Sequence, residues 1–248
     1  YVAGKKPLLP GSVGFAAQSG IFVGALLLYL SSFPAYRISK GLGLGNKVDV
    51  DESDALEYLA GDEQTRIIGL YLEDIRDGRR FLEEARKAVR KKPVILLKGG
   101  RSAAGAVATA SHTASLAVND VVLDGALRQA GVLRVAGVEE LMATIMGFQW
   151  SPLPRGNRIA LVTFSGAQGI MSVDQAADED IPLARFKPET LDRLSTVIST
   201  EPKQKNPVDI YPDTNVHGFE KISTEITQAL FDDDGVDGII FIAFATGT

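Results

Sequence analysis

The sequence predicts an α/β protein with two doubly wound parallel-sheet domains in tandem, and three observations carry this prediction. Short apolar runs rich in Val, Ile and Phe alternate with helical patterns, as in the βαβ units of a parallel sheet. The stretch "WSPLPRGNR" (Trp150 to Arg158) places two prolines and a glycine between apolar segments, which is typical of a linker. "VGFAAQSGIFVG" (Val13 to Gly24) and "IALVTFSGAQGI" (Ile159 to Ile170) both run from a strand pattern through Ser-Gly into a helix pattern, which indicates an internal repeat. We therefore expect domains at residues 1–150 and 156–248.

The first domain shows five strand patterns separated by helix patterns. In the helix that precedes Pro93, the apolar residues Phe81, Ala85 and Ala88 recur at spacings of three and four, so that one face packs on the sheet. Asp54 with Glu57 three residues later resembles a capping arrangement for the second helix. The predicted strands are Val13–Ala17, Tyr36–Ser39, Arg66–Leu72, Pro93–Lys98 and Val132–Ala136, and the predicted helices are Gly20–Ser31, Asp54–Ala60, Gly78–Lys91, Asp120–Ala130 and Val138–Gln149.

The second domain repeats this alternation over a shorter length. Its predicted strands are Arg158–Phe164, Ile181–Phe186, Pro207–Tyr211 and Val236–Phe244, and its predicted helices are Ala167–Ala177, Glu189–Ile198 and Gly218–Phe231.

Composition excludes several classes of function. A net charge of −5 argues against nucleic acid as a main partner. The absence of cysteine excludes disulfides, thiolate zinc sites and cysteine nucleophiles, and it fits a cytoplasmic protein. The most apolar segment, Gly20 to Leu30, has about half of the ~20 residues that span a bilayer, so we expect a buried helix and no membrane span.

Ligands of open parallel sheets bind beyond the carboxyl ends of the strands, where glycines and helix N-termini accommodate anions. Three segments qualify: "AQSGI" after the first strand, "KGLGLGNKVDVDESD" after the second and the loop "KGGRSAAGAVATASHTAS" after the fourth. A Ser-Gly turn after a strand, taken alone, is more often a tight turn with an N-cap than a ligand site. The spacing of the second segment fits neither an EF-hand nor a dinucleotide-binding loop. Its polar residues Asn46, Asp49 and Asp51 face a substrate or form a solvated loop.

His112 is the strongest candidate for chemistry. It lies among small and hydroxylated residues, without a neighbouring charge, so its imidazole is accessible and mostly neutral at pH 7. A neutral imidazole is a nucleophile, and a carboxylate that binds the opposite ring nitrogen fixes its orientation. Glu73 is our first choice for this carboxylate and Asp74 the second. Glu73 ends the third predicted strand, which we expect to lie beside the fourth, the strand that leads to His112. The other histidine, His217, is expected to be an ordinary residue of an amphipathic helix.

At these residues the sequence resembles the NDP-forming acyl-CoA synthetases, the family of ADP-forming acetyl-CoA synthetase and of the α subunit of succinyl-CoA synthetase. The similar segments include "GSVGFAAQSG", "SHTAS", "RIALVTFSGAQGI" and "NPVDI", in the family's order and over most of the chain. The resemblance implies two flavodoxin-like domains and a carbon–sulfur-bond-forming acid-thiol ligase. It implies that His112 is phosphorylated and that Glu73 positions it. The implied phosphate-binding residues are Gln18, Ser19 and Gly20 at one helix N-terminus and Ser111, Thr113 and Ala114 at a second, and the implied substrate-binding residues are Gly45 and Asn46.

The resemblance also implies a reaction and its partners. Acyl-CoA and phosphate give an acyl phosphate, the phosphoryl group passes to His112, and ADP takes it as ATP. CoA, ADP or ATP and Mg²⁺ are then substrates held mainly by a CoA-binding domain and an ATP-grasp domain, which these 248 residues do not contain. We therefore expect partner domains or subunits and an oligomer, with no metal site in this chain.

Three residues depart from the family pattern: Ala17 replaces a serine, Ile21 a small residue and Ala114 a glycine. They favour an alternative, a noncatalytic acyl-CoA-sensing or assembly scaffold with the same fold. A flavodoxin-like nucleotide binder is a third, weaker interpretation.

Overall fold

The computed structural model describes residues 10–31, 37–113, 119–199 and 206–243, with the backbone alone at residues 26–31 and 110–113. These residues form two compact units that divide between Pro152 and Leu153. The elements of the first unit are β1 (Pro10–Ala17), α1 (Gly20–Ser31), β2 (Ile38–Gly43), α2 (Glu52–Gly61), β3 (Ile67–Leu72), α3 (Gly78–Val89), β4 (Val94–Lys98), α4 (Ala103–Thr113), α5 (Asp120–Ala130), β5 (Leu133–Val135) and α6 (Val138–Trp150).

The first unit has a parallel sheet with the strand order β2-β1-β3-β4-β5. The prediction of a doubly wound, flavodoxin-like α/β fold is confirmed. The chain leaves β1 towards one edge of the sheet and leaves β3 towards the other edge, so the connections that follow these two strands lie on opposite faces of the sheet. A crevice therefore opens beyond the carboxyl ends of β1 and β3. β3 also pairs with β4, as expected for the strand that ends at Glu73.

Helices cover both faces of this sheet, because its inner strands are apolar on both sides. Leu56 of α2, Phe81 of α3 and Leu127 of α5 pack in one core cluster. On the other face, Leu141 and Ile145 of α6 pack in a second cluster. β4 is buried along its whole length, as expected for a central parallel strand. Among the described residues, no helix is both long and apolar enough to cross a bilayer.

The helix termini follow their capping residues. α1 and α5 have their predicted bounds. The Asn119 side chain caps α5, and Gly131, with a φ of 80°, ends it. The prediction for α2 is wrong at its start: Asp51 is the N-cap, and it forms a capping box with Asp54. Glu57 therefore has no part in the cap.

The prediction of a loop after β4 is wrong, because most of this segment forms helix α4 (Ala103–Thr113). Ser102 caps this helix by accepting a hydrogen bond from the Gly105 N–H at 3.0 Å. Alanine is the strongest helix former, and five alanines lie between Ala103 and Ala110. Gly100 makes the turn from β4 with a φ of 71°.

The second unit has a smaller parallel sheet with the order β7-β6-β8. Its elements are β6 (Ile159–Thr163), α7 (Gly166–Asp178), α8 (Pro188–Val197), β7 (Val208–Asp209), α9 (Tyr211–His217), α10 (Phe219–Phe231) and β8 (Gly238–Ile242).

Two predictions in this unit are wrong. Residues 181–186 make a single bridge, Ile159 to Leu183, rather than a strand, and Pro182 has no N–H for a sheet hydrogen bond. The strand expected to reach Tyr211 ends at Asp209, because the Asp209 side chain accepts from the Tyr211 N–H where α9 begins. His217 is the last, exposed residue of α9.

Candidate functional site

The candidate site lies in the first unit, beyond the carboxyl ends of β1, β3 and β4. Three predicted site residues, Gln18, Ser19 and Gly20, connect β1 to α1. Glu73 follows β3 directly. The sheet order brings these segments to the crevice where ligands bind in doubly wound folds.

The Gln18 side chain holds the segment that carries Glu73. The Gln18 backbone N–H donates to the Tyr71 carbonyl at 2.9 Å. Its side-chain Oε1 accepts from the Glu73 N–H at 2.8 Å and from the Asp74 N–H at 3.1 Å. The role predicted for Gln18 was phosphate binding, and this second role could not be read from the sequence. The two residues are 55 positions apart, and no sequence pattern connects them.

Lys98 and Tyr71 also contact Glu73, and neither was predicted as a site residue. The Lys98 ammonium donates to the Glu73 carbonyl at 2.6 Å and to the Gly99 carbonyl. The Tyr71 hydroxyl donates to Glu73 Oε1 at 3.2 Å. A side chain at Gly99 would crowd both: its Cβ would lie 3.2 Å from the Tyr71 hydroxyl and 3.5 Å from Glu73 Cγ.

Burial and charge shift the pKa values of Lys98 and Tyr71. Burial lowers the pKa of the Lys98 ammonium. The pKa of Tyr71 is raised to about 12. Burial is the largest cause, and the negative charge of Glu73 is the second. Tyr71 therefore stays protonated at neutral pH and donates its hydrogen bond to the Glu73 carboxylate.

A cavity of about 580 Å³ opens beside these residues. Its wall includes Tyr71 and Phe22, whose rings stack with their centroids 4.2 Å apart. Ser102 at the start of α4 and Gly137 at the start of α6 also line it. The first turns of helices carry unpaired N–H groups and a partial positive charge, so this wall suits an anion.

The Ser-Gly turn after β1 forms the start of α1. Ser19 Oγ accepts from the Phe22 N–H at 3.2 Å, and nothing lies within 4 Å of a Cβ placed at Gly20. Ile21, the bulky departure from the family pattern, is exposed, whereas Ala17 is buried.

The loop after β2 divides into exposed and anchored residues. Gly45, with a φ of 57°, and Asn46 are exposed, as is Asp49. Asp51 is occupied as the N-cap of α2 and makes an ion pair with Arg80 at 3.5 Å. Of the three acidic and amide side chains predicted to face substrate or solvent, Asp51 thus has a structural role.

Lys47 is a buried cation that sequence reasoning missed. It lies between the exposed Asn46 and Val48, with a φ of 54°. Its ammonium donates to Glu52 Oε2 at 2.8 Å and to the Asp74 carbonyl at 3.1 Å, and it makes an ion pair with the Asp74 carboxylate. This cluster joins the loop after β2 to the residue that follows Glu73.

The histidine motif lies at the end of α4. Ser111, His112 and Thr113 form its last three residues, which differs from the helix N-terminus expected there. The N-terminus of α4, capped by Ser102, is the helix start that lies near the crevice. The side chains of Ser111, His112 and Thr113, and all of Ala114, lie outside the described residues.

Comparisons with known proteins match this fold and this arrangement of segments. Residues 10–148 match the family model described as "Succinyl-CoA ligase like flavodoxin domain". The chain is 36% identical to acetate–CoA ligase [ADP-forming] II of Archaeoglobus fulgidus, over 95% of this chain and 35% of the relative. It is also 36% identical to the α subunit of acetate–CoA ligase [ADP-forming] II of Pyrococcus furiosus, over 94% and 50%.

A solved structure gives the same relationship. The acetyl-coenzyme A synthetase 1 of Ca. Korarchaeum cryptofilum, described in complex with phosphate and ADP, superposes with a TM-score of 0.87 and 31% identity, over 98% of this chain and 52% of that protein. The chain thus spans between about a third and a half of the length of these relatives. With its fold, its strand order and the family match in agreement, the chain belongs to the succinyl-CoA ligase-like flavodoxin domain family.

Proposed function

We propose that this chain is the phosphohistidine-bearing part of an ADP-forming acyl-CoA synthetase, with His112 as phosphoryl carrier and Glu73 as its orienting carboxylate. The observation that carries the proposal is the fixed position of Glu73 beyond the end of β3. Gln18 holds its N–H and Lys98 holds its carbonyl, beside a cavity lined by two helix starts. The family membership and the ADP-forming relatives supply the reaction class.

The reaction has three steps. A phosphate oxygen attacks the acyl carbonyl of the thioester, the C–S bond breaks, and CoA leaves as an acyl phosphate forms. A ring nitrogen of His112 then attacks phosphorus, the P–O bond of the mixed anhydride breaks, and the carboxylate leaves. Finally a terminal oxygen of ADP attacks phosphorus, the N–P bond breaks, and ATP and the neutral imidazole are formed.

Glu73 acts in the second and third steps. Its carboxylate accepts a hydrogen bond from the N–H of the ring nitrogen that does not react, which fixes the tautomer and stabilises the ring when phosphorus is bound. The Tyr71 hydroxyl donates to one oxygen of the Glu73 carboxylate and helps to hold it in place. The N-termini of α1, α4 and α6 stabilise the phosphoryl charge, with Ser19 and Gly20 at the first of them.

Further parts complete the enzyme. We assign CoA, the nucleotide and Mg²⁺ mainly to a CoA-binding domain and an ATP-grasp domain, on this polypeptide or on a partner subunit. One relative is itself named as an α subunit. Gly45 and Asn46, exposed after β2, remain our candidates for contact with the acyl substrate, and Ser111, Thr113 and Ala114 for contact with phosphate.

The test is ATP formation by the assembled enzyme from acetyl-CoA, phosphate and ADP. We expect His112→Asn to abolish ATP formation and Glu73→Gln to lower kcat by about 10²- to 10⁴-fold, the range for a group that orients a histidine or transfers its proton. His217→Asn, at the other histidine, is the matched control and leaves the rate unchanged. ATP formation by the His112→Asn enzyme would contradict the proposal. Binding of acyl-CoA without any turnover by the wild-type enzyme would favour a scaffold.

A further inference from the structure

We propose that Lys47 is a positioning residue for Glu73, whose buried ammonium fixes the backbone on which Glu73 stands. This inference rests on the role of Glu73 in the proposed function. It assigns a task to a buried charge cluster that the reaction itself does not use.

Lys47 is buried with unusual completeness for a lysine. Only 1% of it is exposed, and Glu52, its partner at 2.8 Å, is 0% exposed. Burying an ammonium costs more free energy than a salt bridge commonly returns, and apolar residues often replace such pairs without loss of stability. A cluster of this kind is therefore better explained by the geometry that it imposes than by stability alone.

The cluster acts on the segment that follows β3. Lys47 donates to the Asp74 carbonyl at 3.1 Å and pairs with the Asp74 carboxylate. The second oxygen of Glu52 accepts from the Arg76 N–H at 2.6 Å. The Arg76 guanidinium donates back to the Lys47 carbonyl, which closes the circuit.

This circuit meets a second set of contacts on the same backbone. Gln18 binds the N–H groups of Glu73 and Asp74, and Lys98 binds the Glu73 carbonyl. Four side chains that are at most 6% exposed thus hold the backbone from Glu73 to Arg76; they are Gln18, Lys47, Glu52 and Lys98. Lys47 is the member that ties Asp74, the neighbour of Glu73, to the loop after β2.

Removal of the ammonium would loosen this attachment. Without Lys47, the carboxylates of Glu52 and Asp74 face each other with no cation between them and repel, and the Asp74 carbonyl loses a donor. The residue that precedes Asp74 is Glu73, so its carboxylate shifts. A displacement of about 1 Å at a catalytic group can cost about 10²-fold in rate.

The chain offers a matched control. Lys92 also donates to two backbone carbonyls, those of Leu59 at 2.9 Å and Asp62 at 2.6 Å. It precedes β4, at the opposite end of the strand from Lys98. Lys92→Met therefore removes the same kind of contact at the amino end of the sheet, away from Glu73.

The test measures single-turnover phosphorylation of His112 in the assembled enzyme with saturating acetyl-CoA and phosphate. We expect Lys47→Met to lower the rate constant by about 10- to 100-fold and Lys92→Met to leave it unchanged. In steady-state assays with varied acetyl-CoA, Lys47→Met should change the KM for acetyl-CoA little. In a Glu73→Gln background, Lys47→Met should have no further effect, because its effect passes through Glu73. A merely structural role would lower the rate by the same factor in both backgrounds, and this result would overturn the inference.

A second variant applies if Lys47→Met does not fold. Asp74→Asn keeps the Lys47–Glu52 pair and the backbone carbonyl but removes one ion pair, and we expect a smaller loss that again disappears in the Glu73→Gln background. An unchanged rate for Asp74→Asn would then overturn the inference. Absence of label in the wild-type enzyme would instead overturn the proposed function, and this inference with it.

Discussion

The side-chain oxygen of Gln18 accepts a hydrogen bond from the backbone N–H of Glu73 at 2.8 Å. This contact joins the end of β1 to the end of β3, the two strands beside which the crevice of this fold opens. The same oxygen also accepts a hydrogen bond from the Asp74 N–H at 3.1 Å. The position of the candidate orienting carboxylate is therefore fixed by a buried amide of a neighbouring strand as well as by its own strand.

The variant Gln18→Met tests how much this attachment contributes to the free energy of unfolding. Methionine keeps the approximate shape but leaves two part-buried N–H groups without their acceptor, so we expect the free energy of unfolding to fall by about 1–3 kcal/mol. Gln64→Met, which removes an exposed carboxamide that accepts from Lys40, is the control and should change it by less than about 0.5 kcal/mol. Urea unfolding followed by circular dichroism measures both, and an unaltered midpoint for Gln18→Met would speak against the attachment.

The pKa of Tyr71 gives a pH prediction. A hydroxyl whose pKa is raised in the folded state, here to about 12, stabilises the fold fully below pH 10. This contribution is lost as the pH rises through 12, since the unfolded tyrosine ionises first. The free energy of unfolding should therefore fall more steeply between pH 10 and 12 in the wild type than in Tyr71→Phe.

Tyr58→Phe is the control for this prediction, because Tyr58 is exposed on α2. Its pH profile should follow that of the wild type. Identical profiles for Tyr71→Phe and Tyr58→Phe would contradict the raised pKa. Glu73→Gln should lower the pKa of Tyr71 but leave it above its usual value, because burial is the larger cause.

Gly100→Ala tests the turn that starts α4. Gly100 has a φ of 71°, and a Cβ there would lie 2.5 Å from Thr109 Oγ1. The strained conformation and the clash should together cost about 1–3 kcal/mol and slow phosphorylation at the far end of the same helix. Gly78→Ala, at the first residue of α3 with open space around it, should be neutral or slightly stabilising. Equal unfolding midpoints for the two variants would count against this account of the turn.

The second unit carries its own pH prediction. Hydrogen bonds from Arg158 lower the pKa of Asp237 to about 2. A carboxylate with a lowered pKa stabilises the fold above pH 4, and this contribution is lost as the pH falls through 2. We expect Arg158→Gln to return the pKa of Asp237 towards its usual value, as measured by carbon-13 NMR of the carboxyl group. Arg155→Gln removes the same charge three residues away and should not. A pKa unchanged in Arg158→Gln would contradict the assignment.

The sequence predicted the strands and helices whose signals are local. The bounds of α1 and α5 follow from apolar runs and from caps such as Asn119 and Gly131. Helix α4 was missed because small residues give no apolar face, although five alanines between Ala103 and Ala110 favour a helix. The short segment around Pro182 reads as a strand by composition, but a proline limits it to a single bridge.

The candidate site divides in the same way. The position of Glu73 could be predicted because it follows an apolar strand at the edge of the sheet where ligands bind. The contacts that Gln18, Lys47 and Lys98 make with the backbone of Glu73 and Asp74 could not, since each joins segments that are 25 to 56 residues apart and no pattern connects them. One signal was available for Lys98: a lysine that directly ends the apolar strand pattern "PVILL" is expected to be partly buried.

The most direct test of the central claim is the location of the phosphoryl group. The assembled enzyme is incubated with radiolabelled phosphate and acetyl-CoA without ADP, and the label is assigned to a peptide by mass spectrometry. The chain has two histidines, so the comparison is complete with His112→Asn and His217→Asn. We expect acid-labile label on the peptide that contains His112, unchanged in His217→Asn and absent in His112→Asn. Label that persists in His112→Asn, or that maps to His217, would contradict this claim.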